Sequence, residues 1–181
     1  KLGKNVDALV ITLETFLQSV EKQAFRMAML AVHKEADALD IVQDSMIKLA
    51  TRYGDRESSQ WRPLFFTILN NCITDWHRKE TRWRRWFVRD HLEDEQEASL
   101  LEQEDDFGPI EQLQNDQLSE QIIAVIESLP IKQQQCFLLR CWEGFSVQET
   151  ADVMSINTGS VKTHYHRAMQ KIQAALQEGQ P

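Results

Sequence analysis

Little in this chain would interrupt a helix. Its 181 residues include only 4 prolines and 6 glycines, and the apolar/polar alternation of half-buried strands is almost absent, while 3.6-residue apolar stripes recur throughout. With 42% hydrophobic residues there is enough to fill packed cores, so the sequence predicts an all-α protein. Three cysteines, Cys72, Cys136 and Cys141, have neither ligand-like nor disulfide-framework spacing. They read as small buried apolar side chains in a reducing compartment. No stretch approaches the ~18 apolar residues of a membrane span, and no signal-peptide pattern is present. The expectation is a soluble, cytoplasmic protein with no membrane insertion. Also missing are a Gly-rich phosphate loop, a metal-ligand cluster and a nucleophile triad. The sequence therefore predicts no catalytic residue, no metal, no cofactor and no enzymatic activity.

Charge is present but segregated. The net charge of −8 argues at first against a nucleic-acid partner. Yet residues 76–89 contain six bases (Arg78, Lys79, Arg82, Arg84, Arg85 and Arg89) and a single acid, Glu80. Residues 90–116 contain eleven acids and no Lys or Arg, and residues 153–177 contain Lys162, Arg167 and Lys171 with no acid at all. Such asymmetry assigns different work to different segments.

The acidic run carries Phe107-Gly108-Pro109 and no sustained apolar stripe, so it reads as a linker. It divides the chain into two small helical domains, residues 1–91 and 118–181, joined by an acidic linker, 92–117. In the first domain, helices are expected over 6–20, 23–33 and 38–53, the last capped by Asp37 and with Leu39, Val42, Met46, Leu49 and Ala50 on its inner stripe. A polar loop over 54–60 precedes a fourth helix from about residue 64, with Pro63 at its start. In the second domain, 118–129 is amphipathic, and Pro130 opens a helix ending at Gly144.

Residues 146–176 read as a helix-turn-helix. Ser146 and Glu149 have the spacing of a capping box. Val147, Ala151 and Met154 face inward, and Ala151 is small where two helices cross. Ser155-Ile156-Asn157 makes the turn, with Asn157 capping a second helix that buries Val161, Tyr165, Ala168 and Ile172. The outward face then carries Gly159, Ser160, Thr163, His166, Arg167 and Gln170, flanked by Lys162 and Lys171. This face is rich in donors and free of acid, as a helix lying in a major groove requires. Arg167 could read guanine or hold a phosphate. Residues 118–181 carry five bases against six acids, so this domain's own electrostatic grip on DNA is weak and salt-sensitive.

Leu129-Pro130, Gln135, Phe137-Leu138-Leu139-Arg140, Trp142-Glu143-Gly144-Phe145-Ser146, Glu149-Thr150-Ala151, Val161-Lys162 and Arg167-Ala168 closely resemble region 4 of bacterial extracytoplasmic-function (ECF) sigma factors. Ala38-Leu39-Asp40-Ile41-Val42-Gln43-Asp44 resembles their region 2.2. Residues 63–71 with Asp75-Trp76-His77-Arg78 resemble regions 2.3 to 2.4. The resemblance covers about residues 15–85 and 118–177, in the family's order. The chain departs from the pattern at Leu39 (usually an acid), Leu64 (commonly Trp), Asn70 (commonly Arg), Thr150 (apolar) and Ser155 (frequently Gly).

The resemblance implies a sigma factor that binds RNA polymerase core and directs promoter-specific initiation. Asp40, Gln43 and Asp44, on one helix face, would meet the clamp of the largest polymerase subunit. Asn71 would contact a flipped base of the melted −10 element, with the loop after Tyr53 capping it. Trp76, Arg78, Lys79, Arg82, Arg84 and Arg85 would bind the same strand, aromatics amid cations being what a single-strand platform uses. Trp83 and Trp86 fit either stacking or core packing. Thr158, Ser160, Lys162, Thr163, His166 and Arg167 would read the −35 duplex. The acidic linker would run near the polymerase active site or serve as a solvated spacer, and an anti-sigma factor is an implied partner. The alternative reading is a conventional operator-binding regulator, which would bind duplex DNA tightly without polymerase.

Overall fold

The structure is a computed structural model that describes residues 12–87 and 120–178, all of its regular elements being helices. The acidic run and the start of the helix expected over 6–20 lie outside the described residues. Among the described residues, no helix is long and apolar enough to cross a membrane.

Helix α1 spans Leu13–Val32, capped by Thr12, whose hydroxyl accepts from the Thr15 N–H at 3.2 Å. It is one helix where two were expected. No Gly or Pro separates Val20 from Gln23, and Val20, Ala24, Met27 and Ala28 continue one buried stripe. His33 ends it in the left-handed region (φ 57°), its N–H returning to the Met29 carbonyl.

Helix α2, Glu35–Tyr53, begins earlier than expected. Lys34 occupies the cap position without a side-chain bond, and Asp37 lies in the first turn, where its charge suits the positive end of the helix dipole. The buried stripe also differs: Ala38, Ile41, Val42, Ser45 and Leu49 face inward, while Leu39 is 44% exposed and Ala50 is exposed. Ser45 can be buried because its hydroxyl donates to the Ile41 carbonyl at 2.7 Å, which removes the cost of an unpaired polar group. Leu39 is thereby displaced to the outer face.

Helix α3 runs over Ser58–Phe87 and contains Pro63 as its sixth residue. The expected loop is correspondingly shorter. A proline here forgoes the bond to the carbonyl four residues back and crowds that carbonyl with its ring, yet the helix continues, with Trp61, Phe65, Phe66, Leu69 and Ile73 buried along it. Phe65 meets Phe16 of α1 edge-on at 6.1 Å.

The second group is α4 (Glu120–Ser128), α5 (Ile131–Cys141), α6 (Val147–Met154) and α7 (Thr158–Glu178). Ile122, Ile126, Cys136, Phe137, Leu139, Val161, Ala168 and Ile172 form its centre. All three cysteines are buried and free; desolvation pushes the Cys136 thiol up to about 12.

The two groups share one continuous hydrophobic core. Helix α3 packs on α6, and α1 on α4 and α5. Along this seam, Phe66 and Phe145 meet edge-on at 5.5 Å, and the Gln134 side-chain amide donates to both the Leu30 carbonyl (3.0 Å) and the Ile126 carbonyl (2.9 Å).

Candidate nucleic-acid interface

The helix-turn-helix forms around two caps. Ser146 Oγ accepts from the Glu149 N–H at 3.1 Å, and Glu149 Oε2 accepts from the Ser146 N–H at 2.7 Å, completing the capping box. These bonds hold the Glu149 carboxyl below its ordinary range. Ser155 ends α6 in the left-handed region (φ 55°), a conformation that costs a non-glycine residue about 1–2 kcal/mol. Ile156 N–H closes the turn on the Ala151 carbonyl at 3.0 Å. Asn157 Oδ1 then accepts from the Ser160 N–H at 2.7 Å and caps α7.

On α6, Thr150, Ala151 and Val153 are the buried residues, while Val147 and Met154 are half-buried. The inward turn of the short helix therefore centres one position away from the expected Val147–Ala151–Met154 face. On α7 the expected stripe is the observed one: Val161, Tyr165, Ala168 and Ile172 are buried, joined by Met169. Tyr165 reaches Cys141 Sγ at 3.4 Å, and burial raises its phenol far above the ordinary range. Arg140 is internal to the domain: it donates to the Phe145 carbonyl and lies over the Tyr165 ring.

Rotation of the stripe inward turns the opposite side of α7 outward. Thr158, Lys162 and Arg167 are exposed, and Ser160, Thr163 and His166 are half-buried. Thr163 Oγ1 donates to the Gly159 carbonyl at 3.1 Å and keeps acceptor capacity outward.

The other positively charged surface is on α3. Asn71 is exposed and lines a cleft of about 210 Å³ together with Lys48, Arg52, Tyr53, Leu64, Thr67, Ile68, Cys72 and Asp75. Sequence reasoning picked out Asn71 and the Tyr53 loop but missed Lys48 and Arg52; their signal was the i, i+4 spacing that continues from Asp44. Lys48 Nζ pairs with Asp44 at 2.6 Å and approaches Cys72 Sγ at 3.4 Å. The Lys48 hydrogen bond holds the Asp44 carboxyl below its usual range. Farther along α3, Arg78, Lys79 and Arg82 are exposed, with Arg78 Nη1 3.7 Å from Asp75. Trp83 is 68% exposed, whereas Trp76 is half-buried against the core with its ring 5.2 Å from that of His77. Arg84 and Arg85 are on the last turn of α3, and their side chains, like that of Trp86, lie outside the described ones.

On α2, Asp40, Gln43 and Asp44 share the outer face with exposed Leu39 and Ile47, the latter 61% exposed. Among the described residues, no group of three or more His, Cys, Asp or Glu could hold a metal ion.

A family model described as sigma-70, region 4 matches residues 119–172. The chain is 29% identical to the ECF RNA polymerase sigma factor BldN of Streptomyces coelicolor over 157 residues, covering 84% of this chain and 55% of that protein. It is 26% identical to the RNA polymerase sigma factor SigV of Bacillus subtilis over 177 residues, 97% of this chain and 96% of that one. The chain is thus similar to ECF-type sigma factors, and its region from 119 to 172 to sigma-70 region 4. Its fold matches the sigma factor RpoE of Bartonella quintana, solved with the anti-sigma factor NepR, with a TM-score of 0.67 at 21% identity, over 92% of this chain and 98% of that one. In this chain, two departures from the pattern of those proteins fall inside the helix-turn-helix: Ser155 takes the left-handed turn position, and Thr150 is fully buried with its hydroxyl oxygen lacking a hydrogen-bond partner.

Proposed function

We propose that this sigma factor recruits RNA polymerase core to selected promoters, opens the −10 element with residues 1–91 and docks the −35 duplex with residues 118–181, the acidic residues 92–117 joining the two. The observation that carries the reading is the pairing, on one chain, of an acid-free outer α7 face with a cleft at Asn71 that Lys48 and Arg52 line beside Asp75. A duplex reader needs the first, and a flipped-base receptor needs the second.

Asp40, Gln43 and Asp44 are assigned to the polymerase clamp. Asn71 is assigned to an unstacked −10 base, and Trp76, Arg78, Lys79, Arg82, Arg84 and Arg85 to the same strand. Trp76 is half-buried, whereas Trp83 is exposed. Thr158, Ser160, Lys162, Thr163, His166 and Arg167 are assigned to the −35 major groove. The protein performs no chemistry of its own; binding energy selects the site and the polymerase catalyses. It acts in the cytoplasm, with an anti-sigma factor as its inhibitory partner.

The test is reconstitution with purified core polymerase on genomic templates, mapping transcript starts. The expected result is a discrete set of starts that depends on the added protein. Tight duplex binding by the protein alone, with no promoter-specific start, would overturn the reading in favour of an operator-binding regulator.

A further inference from the structure

The cleft at Asn71 holds a nucleophile that promoter reading does not use. Cys72, on α3, is 9% exposed and lines this cleft. Two side chains of α2 converge on its sulfur. Lys48 Nζ donates to Cys72 Sγ at 3.4 Å, and Cys72 Sγ donates in turn to Asp44 Oδ2 at 3.5 Å. Asp44 and Lys48 are themselves paired at 2.6 Å. That bond fixes the ammonium beside the sulfur and holds it above its ordinary 10.5. The other two cysteines are placed differently. Cys136 is wholly enclosed, donates to the Val161 carbonyl at 3.3 Å, and keeps its proton up to about 12 through desolvation. Cys141 Sγ is buried against the Tyr165 hydroxyl at 3.4 Å.

We propose that Cys72 is a modification site for hydrogen peroxide, with Lys48 as its positioning cation, and that the modified side chain blocks the Asn71 cleft. The site stands on the Cys72–Lys48–Asp44 geometry, and its effect on promoter opening rests on the sigma-factor reading above. Reactive cysteines occupy electropositive, partly accessible surroundings, and the cleft of about 210 Å³ has room for peroxide, a molecule little larger than water. A sulfur lone pair attacks one peroxide oxygen as the O–O bond breaks. Sulfur gives up two electrons and becomes the sulfenic acid, and the departing hydroxide takes up the thiol proton and leaves as water. Asp44 Oδ2, already accepting that proton's hydrogen bond, orients the thiol. The Lys48 ammonium stabilises the negative charge as it passes from sulfur to the leaving oxygen.

The sulfenic acid then condenses with a low-molecular-weight thiol. The S–O bond breaks, a disulfide forms, and hydroxide leaves as water with the proton of the incoming thiol. Cys72 follows Asn71 directly in the chain and lines the same cleft, so an adduct on its sulfur fills the space that an unstacked base would enter. Thiol–disulfide exchange removes the adduct again. The outer face of α7 is on another helix and is left as it was. Peroxide thereby acts on strand opening and spares duplex docking.

The full chain is treated with hydrogen peroxide and glutathione, and catalase removes the peroxide before core polymerase is added. Dimedone trapping with peptide mass mapping, on samples without glutathione, follows each cysteine. Permanganate reactivity of −10 thymines in the holoenzyme follows opening. Cys72 is expected to react about ten-fold or more faster than Cys136 and Cys141. Lys48→Met should slow that reaction by about ten-fold, and Lys48→Arg, which keeps the charge, should restore it. Treated wild type should open promoters about five- to a hundred-fold less than untreated, and dithiothreitol should reverse the loss. In Cys72→Ser the ratio of treated to untreated opening should return to about one, whatever its untreated level. Equal reaction of the three cysteines, Lys48→Met reacting as fast as wild type, or full opening by protein modified at Cys72 would overturn the proposal. If untreated holoenzyme opens no promoter at all, the sigma-factor reading falls and the blocking role with it, while the mapping still decides whether Cys72 is the modification site.

Discussion

Arg62 and Glu143, 81 positions apart in the chain, are joined by a 3.0 Å bond, and the same guanidinium covers the Phe145 ring. Removing one partner strands the other. Arg62→Ala should therefore cost about 1–3 kcal/mol, a drop of roughly 2–4 °C in melting temperature per kcal/mol for a chain of this size. Glu143→Gln, which keeps an acceptor and removes the buried charge, should cost less. Differential scanning calorimetry on the two variants separates them, and equal losses would show that the charge itself matters little.

The pH dependence has a definite sign. Burial pushes the Glu143 carboxyl above its ordinary 4.5, with Arg62 pulling back. The folded protein then holds this proton to higher pH than the unfolded chain does. Its stabilising contribution is complete below 4.5 and is lost as pH rises through the raised folded-state value. Wild-type stability relative to Glu143→Gln should fall over that interval, as read from urea midpoints at a series of pH values. A rise would reverse the assignment.

Asn71 is exposed, so Asn71→Ala should leave stability within about 0.5 kcal/mol of wild type. Promoter opening should fall by about 1–3 kcal/mol, five- to more than a hundred-fold. Permanganate reactivity of −10 thymines in the holoenzyme measures this directly. Undiminished opening would remove Asn71 from the −10 site.

On α7, Lys162→Ala and Arg167→Ala should behave differently if Arg167 reads a base. Loss of Lys162 should weaken binding to all promoters alike and lower the log–log salt slope of holoenzyme binding by about 0.9. Loss of Arg167 should flatten discrimination at one −35 position by about 1–3 kcal/mol. Parallel behaviour of the two would make both of them phosphate contacts.

Thr150 is wholly buried, and its hydroxyl oxygen has no hydrogen-bond partner. Thr150→Val preserves shape and removes the unsatisfied group, so it should stabilise the protein by about 1 kcal/mol. Ser146→Ala, which removes the capping oxygen of the same helix, should destabilise by about 1 kcal/mol. Thermal melts of the pair should move in opposite directions.

Much of the α4–α7 group was legible because its determinants are local. The α7 stripe of Val161, Tyr165, Ala168 and Ile172 has a single period, and the Ser146–Glu149 box spans one turn. The α2 stripe was less legible. Ser45 becomes an inward residue through a hydrogen bond to its own helix, and Leu39 turns outward although it is apolar. Neither result follows from hydropathy. Pro63 suggested a helix start because its missing N–H is harmless there, yet burial of Trp61, Phe65 and Phe66 carries the helix through it. The seam left no local trace at all. Gln134 reads as a surface amide until the Leu30 carbonyl, 104 positions away, comes to meet it.

That distance along the chain also has a consequence in time. During synthesis, Arg62 and Phe66 leave the ribosome roughly 80 residues ahead of Glu143 and Phe145. At about 5–20 residues per second, the interval is roughly 4–16 s. For those seconds the nascent N-terminal half displays an aromatic, cationic face with nothing to cover it. Translation speed across residues 67–145 thus sets how long the half-made protein is open to chaperones, or to another nascent copy of itself.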